Sequence, residues 1–546
     1  MLTAVDRQDP QNPRGDLLGR ALLSLVCLGV LLRFGFLWFR GTLWLDEVLV
    51  ALNMRESPSF LLKGDLFYMQ RAPIGWLMLE KAFFRIVRHS DTGLRLPSLL
   101  AGSAALVIFA DAARRVLKPF AALTVVSIMA FAPFPVYYST ELKHYSFELI
   151  AACIACNLLA RSVYYQNWTR LALLFNVSMS VAALFGVAYS VVAALVAPAM
   201  AGGAKDWKSF VRRLLCLVPW SAFALAEFAW MSTRYGPEVD HFFREFWSVG
   251  FWPVLPLGPE TLLWPTRWFA GLLQDIAGHL FPAVIGGLCI LPGCVGILAK
   301  QNRVGLAMLG AVSLSLLISA LGYYPPIGRL ALILHPCLLL VIGMGFSDLQ
   351  DRVGKGTLCS WTLGGLLAGA TLYGTVDTFA RGQIIAGPRH LPANSLEDLR
   401  RGFELLRVHN SVDARLLVPI MTIPATAFYA EDLPVPLARI WFEGKQPWNP
   451  RFDLFNNRAL RRNEPTYQFG VTDSAGHFTP SKALEEFLDA AAQEGFPVIL
   501  MATHGHADLA RHAEFIRSRL GPFEIQDFPN GRVFYFPGSP TPGAAP

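Results

Sequence analysis

Runs of mostly apolar residues recur through the first 380 positions of this chain, separated by short polar or basic stretches. A helix that crosses a bilayer needs about 20 such residues. Runs of that kind fall at 17–39, 95–115, 120–138, 147–165, 171–203, 211–231, 279–299, 303–322, 328–346 and 357–377. The first is long and no small-residue cleavage site follows it, so it reads as a span and not as a cleaved leader. The run 171–203 decides the topology. As one helix it would be about 50 Å long, against a hydrocarbon core of about 30 Å. Arg161 and Arg170 precede it, and Lys205, Lys208, Arg212 and Arg213 follow it. Basic flanks favour the cytoplasm, so an even number of crossings lies between them. The pattern therefore predicts two short helices that turn near Gly186 to Ser190. About eleven spans result, with the N-terminus inside and the C-terminus outside. Arg114, Arg115 and Lys118, Lys300 with Arg303, and Arg352 with Lys355 all fall inside on this count.

Three outer segments remain, at 40–94, 138–146 and 232–278. Within the first, residues 74–88 place Lys81, Arg85 and Arg88 at helical spacing in an otherwise largely apolar stretch. That is the pattern of an amphipathic helix lying in the outer interface. A further crossing there would put every later basic loop outside. After residue 380 the pattern turns polar. Residues 395–408, 481–494 and 507–520 read as helices, and 415–420 and 497–502 as buried strands. Pro529-Asn530-Gly531 reads as a hairpin turn between 524–528 and 532–536. The predicted fold is a polytopic α-helical membrane module, residues 1–379, followed by a soluble α/β domain outside the cytoplasm, residues 380–546.

Composition agrees with the hydropathy. Of 546 residues, 53% are hydrophobic and 16% charged, where a soluble chain has about 25% charged. Ordinary soluble enzymes and disordered proteins are excluded. The net charge of +7 sits mostly in short loops, where it sets topology, so nucleic acid is not expected as a partner. The eight cysteines lie in apolar runs, and the C-x-x-C at Cys153 and Cys156 has no histidine beside it. His504, His506 and His512 lack a cysteine or clustered carboxylate to complete a metal set. No G-x-G-x-x-G follows a strand and no Walker A loop is present. No metal or cofactor is expected.

Ionisable residues at or near membrane depth are costly and functional by default. Four groups stand out. Trp44-Leu45-Asp46-Glu47 follows the first span, where one carboxylate can take a proton from an attacking hydroxyl or amine. It can equally cap a helix that runs on to Asn53. Glu141, Lys143, His144 and Tyr145 crowd the short loop after the third span, as a second acid and a phosphate-binding cation or as partners of lipid headgroups. Arg71 and Lys81 are cations at the outer interface, either phosphate ligands or snorkelling anchors. Arg329, after Tyr323-Tyr324-Pro325-Pro326, can grip a phosphate with its fork of donors or anchor the next span. One acid pair with several cations on one face suggests transfer from a lipid phosphate.

The chain resembles integral-membrane glycosyltransferases of the GT-C fold. It is most similar to bacterial relatives of protein O-mannosyltransferases and of the aminoarabinose transferase of lipid A. The matching residues are Trp44-Leu45-Asp46-Glu47, Ala72-Pro73-Ile74-Gly75 with Leu79-Glu80-Lys81, Leu94-Arg95-Leu96-Pro97-Ser98, Ser139 to Ser146, and Gly328-Arg329-Leu330. They are strong in order and spacing over 40–150 and weaker to 346. The resemblance implies a bacterial plasma-membrane enzyme with a polyprenyl-phosphate-linked sugar donor, inverting chemistry on the outer face, and an envelope lipid, polysaccharide or protein as acceptor. It implies Asp46 as the acid that activates the acceptor and Glu141 as the acid of the second loop. Glu47, Arg71, Lys81, Lys143, His144, Tyr145 and Arg329 are expected to bind substrate. Family members often carry Gln and Arg where this chain has Thr140 and Lys143, so the phosphate contact keeps its charge but not the guanidinium fork. The luminal domain of protein O-mannosyltransferases is not recognisable here. A transporter or flippase would place its charges near mid-bilayer on broken helices; here they gather at one face. A non-catalytic scaffold would be indifferent to Asp46→Asn.

Overall fold

The computed structural model describes residues 13–380 except 64–65, 67–69, 88–89, 165–166, 235–236, 255–257, 278–279 and 353–356. In the tail it describes 384–385, 392–393, 415–418, 428, 440–442, 470–472, 478–480, 482–494, 497–503, 509–528 and 531–537. Arg88, Lys355, the helix expected at 395–408, and His504 with His506 lie outside the described residues. The chain divides into two compact units: residues 1–39 with 72–392, and residues 40–71 with 393–546.

The first unit begins with α1 (Pro13–Phe39). In the second unit, α2 (Leu45–Asn53) and α3 (Pro58–Lys63) follow in sequence. The first unit resumes with α4 (Ile74–Val87), α5 (Asp91–Leu94) and α6 (Leu96–Val116). The expected helix over 74–88 is present as α4. The run 120–138 forms two helices, α7 (Pro119–Phe131) and α8 (Pro133–Tyr138), instead of the single one expected. Proline drives the residue before it out of the helical region, and Ala132 is extended. After α9 (Tyr145–Ser162), the run 171–203 breaks where the turn was expected, into α10 (Trp168–Ala183) and α11 (Ser190–Ala201). The next run is also broken, into α12 (Trp207–Leu215) and α13 (Trp220–Arg234), bent by 45°. Pro219 sits in the break. The segment 232–278, expected outside, contains the helices α14 (Pro237–Phe246) and α15 (Pro259–Ala277). The unit ends with α16 (Leu280–Ala299), α17 (Arg303–Ala320), a 3-10 turn over Gly328–Leu334, α18 (His335–Arg352) and α19 (Thr357–Ala380). Among the described residues, four helices are long and apolar enough to cross a membrane, or five if the bent pair is one span. Three shorter apolar helices, at Pro119–Phe131, Ser190–Ala201 and Cys289–Ala299, accompany them.

Helices α6 and α9 run side by side in the same direction, and polar contacts mark both ends. At one end the Ser98 hydroxyl donates to the Lys143 carbonyl at 2.9 Å. At the other end Asn157 and Arg161 of α9 donate to Asp111 of α6. The second end also holds Lys118 paired with Asp351, and Lys300 with Asp348 at 2.6 Å. Lys118, Arg161 and Lys300, each from a different basic segment, thus lie at one end of this unit. Toward the first end, the buried Arg33 guanidinium of α1 donates to the carbonyls of Met129 and Ala130. Those carbonyls belong to the last turn of α7, where they have no helical partner. A cation at a helix C-terminus is favoured by the dipole as well.

Two buried carboxylates have the converse task. Glu148 accepts the Ala188 N–H at 3.2 Å in the turn between α10 and α11. Glu227 accepts the Ile74 N–H at 2.9 Å, at the first residue of α4. Both satisfy backbone donors that would otherwise be buried without a partner.

The second unit has its own order. The short pair β1 (Ile384–Ile385) and β2 (Pro392–Ala393) lies at its border in sequence. A five-stranded sheet follows, built from β3 (Arg415–Val418), β4 (Ile440–Phe442), β7 (Val498–Thr503), β8 (Glu524–Phe528) and β9 (Gly531–Phe536), in the order β4-β3-β7-β9-β8. The first three strands are parallel, while β9 is antiparallel to both β7 and β8. The expected hairpin is the β8–β9 pair. A separate antiparallel pair joins β5 (Gly470–Thr472) and β6 (Phe478–Pro480). Helices α20 (Lys482–Glu494) and α21 (Leu509–Leu520) cover the sheet. Leu484, Phe487, Leu488 and Ala491 recur at helical spacing and pack with Ile516, Val498, Leu500 and Phe534 in the core. Residues 40–71 are tied into this unit where Arg55 donates to the Phe428 carbonyl at 2.7 Å and lies over the Phe428 ring.

Candidate active site

The loop between α8 and α9 is the centre of the candidate site. Ser139 and Thr140 donate their hydroxyls back to the carbonyls of Val136 and Tyr137, the local pairing typical of these residues at turns. Ser146 donates to the Tyr138 carbonyl across the loop at 2.8 Å. Gly102 of α6 permits the loop to lie close, since a Cβ there would stand 2.3 Å from the Ser139 Cβ. The loop is thereby held inside the protein. Glu141 is fully buried and Lys143 is 6% exposed.

Arg329 reaches the same place from the 3-10 turn after α17. Gly328 opens that turn at φ 52°, a conformation that disfavours residues with a Cβ. Arg329 is 8% exposed, its guanidinium 5.4 Å from the Tyr145 ring centroid and 5.3 Å from that of Trp247. Aromatic faces on a guanidinium stabilise it and direct its hydrogen bonding to the edges of the plane. His144 and Tyr145 have ring centroids 4.8 Å apart, and Tyr138 lies edge-on to Tyr145 at 5.7 Å. Burial, with Lys143 and Arg329 nearby, pushes His144 down to about 3, so its ring is neutral at ordinary pH.

Helix α4 supplies the opposite wall. Trp76 faces His144 with ring centroids 5.9 Å apart. Trp76, Leu77, Glu80 and Lys81 form its buried face. Lys81 and Arg85, two of the basic residues noted at helical spacing, therefore do not share one solvated face. Lys81 is buried and Arg85 is exposed. Burial lifts Glu80 well above the ordinary carboxylate range.

The sequence singled out Glu141, Lys143, His144, Tyr145, Lys81 and Arg329. The structure gathers Glu141, Lys143, His144, Tyr145 and Arg329 around one loop and puts Lys81 on the buried face of α4. Trp76, Glu80, Tyr138 and Trp247 were not singled out as site residues. A signal for two of them exists in the sequence: Trp76 and Glu80 are four apart, one helical turn, in a segment whose only other carboxylates lie beyond its ends.

The remaining candidates, Asp46, Glu47 and Arg71, belong to the second unit. Trp44 occupies the N-cap position of α2, so Asp46 is the second residue of the helix and not its cap. Glu47 takes the Trp44 N–H at 3.2 Å and pairs with Arg40 at 3.5 Å, both side chains being buried. Glu47 is accordingly a fixed structural partner of this turn. Asp46 and Arg71 are half-buried. Among the described residues, no cluster of His, Cys, Asp and Glu is arranged to hold a metal ion.

Fold and site define a polytopic helical membrane protein with a buried ionisable site at one end of its helices. Over nearly its whole length the chain is similar in structure to ArnT from Cupriavidus metallidurans in the apo state, at TM-score 0.52 and 14% identity, covering 94% of this chain and 97% of that one. ArnT is a GT-C membrane glycosyltransferase, and the chain shares that fold. The same enzyme bound to undecaprenyl phosphate matches at TM-score 0.40 and 16% identity, again over 94% and 97%. The Archaeoglobus fulgidus oligosaccharyltransferase in its apo form matches at TM-score 0.48 and 12% identity, over 89% of this chain and 69% of that one. No family model and no curated protein matches the sequence.

Proposed function

We propose that the protein is a GT-C glycosyltransferase of the bacterial plasma membrane that moves a sugar from a polyprenyl phosphate to an envelope acceptor. The acceptor is a lipid, polysaccharide or protein, and the transfer takes place on the non-cytoplasmic side. The observation that carries the reading is the pair of buried cations, Lys143 and Arg329, gathered with Glu141 around one loop of this fold. Cations of this kind bind phosphate oxygens by charge-assisted hydrogen bonds, and a lipid phosphate supplies such oxygens. About eleven crossings, an inside N-terminus and an outside tail complete the topology, by the distribution of basic loops.

In the reaction, an acceptor hydroxyl or amine attacks the anomeric carbon from the face opposite the phosphate, which inverts the configuration. Its proton passes to the Asp46 carboxylate. The bond between the anomeric carbon and the phosphate oxygen breaks, and the electron pair leaves with the polyprenyl phosphate. Lys143, Arg329 and Lys81 neutralise the charge that develops on it, which is the largest single contribution in many transfer reactions. Glu141 orients a sugar. Asp46 has its role by its motif alone, so its test stands alone. Asp46→Asn should lower turnover about a hundred- to ten-thousand-fold with normal protein in the membrane. Glu47→Gln should act on stability instead, through Arg40 and Trp44. A mass-spectrometric comparison of envelope glycans with and without the protein identifies the product. Unchanged glycans in the deletion strain, or full turnover in Asp46→Asn, would refute the respective claims.

A further inference from the structure

Among the carboxylates buried on helices of the first unit outside the cation loop, Asp348 pairs with Lys300 and two more have an evident task. Glu148 and Glu227 each receive a backbone N–H at a helix start. Glu80 is 0% exposed, and neither of its oxygens has a hydrogen-bond partner among the described residues. It is not isolated in this. The indole N–H of Trp76, one turn earlier on α4, the phenol of Tyr138 and Nδ1 of His144 are likewise buried without a partner. The rings are contiguous, since Trp76 meets His144, His144 meets Tyr145, and Tyr145 meets Tyr138, and Glu80 lies one turn from Trp76 on the same buried face of α4. An unsatisfied buried polar group is expensive and calls for an explanation. Four together, beside Lys143 and Arg329, are explained by a ligand that supplies their partners.

We infer that Trp76, Glu80, Tyr138 and His144 form a subsite for an uncharged, hydroxylated sugar, adjoining the cations that take its phosphate. The inference rests on the glycosyltransferase reading and adds the chemical class of the transferred group. An indole donates only, a phenol and a neutral imidazole offer both a donor and an acceptor, and a carboxyl group accepts on its oxygens. Sugar hydroxyls, which donate and accept, match that mixture. Lys143 and Arg329, whose charges act on His144 alongside its burial, disfavour a sugar carrying an ammonium group. The same residues explain why the subsite is built of neutral groups: one side of it has to bind the sugar without competing for the phosphate.

The test is binding by the purified full-length protein in lipid nanodiscs. The probes are a short-chain prenyl phosphate, its neutral hexose esters (mannose, glucose and galactose) and an amino-sugar ester. At least one hexose ester should bind about tenfold tighter than the bare prenyl phosphate, which one or two extra buried hydrogen bonds can supply. Glu80→Gln and Tyr138→Phe should each lose most of that gain and leave the affinity for bare prenyl phosphate unchanged. Tyr138→Phe removes an unpaired buried hydroxyl, so its melting temperature should hold or rise, and Glu80→Gln, which keeps a polar group of the same shape, should melt near wild type; this distinguishes lost recognition from lost folding. Equal weakening of bare phosphate and hexose ester, no gain from any hexose, or tighter binding of the amino-sugar ester would overturn the subsite. Failure of wild-type protein to bind bare prenyl phosphate or any ester would instead overturn the broader glycosyltransferase reading.

Discussion

At opposite ends of the α6–α9 pair lie two gatherings of charged and polar side chains, about 20 Å apart by the helical rise between Ser98 and Asp111. Around Asp111 every principal group has its counterpart. Arg114, Arg115, Arg161 and Asn157 all donate to the one carboxylate, at 2.5 to 3.0 Å. Around the α8–α9 loop the charges are more deeply buried, yet Trp76, Glu80, Tyr138 and His144 hold polar atoms that no described residue satisfies. The first gathering is a clamp that sets the register of α6 against α9 and closes on itself. The second, on the proposed reading, is arranged for a ligand. Burial alone does not separate structure from function here; satisfaction of the buried groups does.

The contrast has measurable consequences. Lys143→Ala and Arg329→Ala should each reduce turnover about a hundred- to a thousand-fold, the usual cost of losing one donor to developing charge, with melting temperatures close to wild type. Steady-state kinetics with a lipid-linked donor and a thermal scan read both; full activity in either variant removes that residue from the site. Asp111→Ala should do the opposite. It leaves three arginines and an asparagine without their acceptor, and a cost of about 1–3 kcal/mol is expected for such a partly exposed cluster. Turnover per folded molecule should not change, and a selective loss of turnover would make Asp111 more than a clamp.

A third effect depends on pH. His144 titrates near 3 in the folded protein and near 6.5 when unfolded. The unfolded chain therefore binds the extra proton first, so the stabilisation is complete above about 6.5 and is lost as pH falls toward 3. The slope is at most about 1.4 kcal/mol per pH unit from this group. Melting temperatures of wild type and His144→Asn between pH 7 and 5 should converge on acidification; parallel curves would show that His144 titrates normally. The smallest effect is expected of Ser98→Ala, which removes the hydroxyl bond to the Lys143 carbonyl. A loss of about 1 kcal/mol, with a few-fold fall in turnover as the loop loosens, would show that the loop is braced from α6. An unaltered melting temperature would show that it is not.

Much of the fold is legible along the chain because the information is local. The apolar runs, the break of 171–203 into α10 and α11, the amphipathic α4 and the α20, β7 and β8–β9 elements of the tail each follow from periodicity or turn chemistry within one segment. Prolines 133 and 219 had equally local consequences, the breaks after α7 and α12, which hydropathy over a 20-residue window averages away. The chemical types gathered at the candidate site were legible too, since charged residues in or beside apolar runs are few. Other features exist only in three dimensions. Lys81 and Arg85 are one turn apart on the same helix, yet one is buried and the other exposed, because a neighbouring element covers only part of that face. Glu148, Glu227 and Glu80 look alike in sequence, as single acids in apolar helices. Their difference lies in partners 40 and 153 residues away for the first two and in none among the described residues for the third. Hydropathy cannot make that distinction, since lipid and protein interior are both apolar. A polar side chain in such a chain acquires its meaning from the group that the fold brings, or does not bring, within hydrogen-bonding reach.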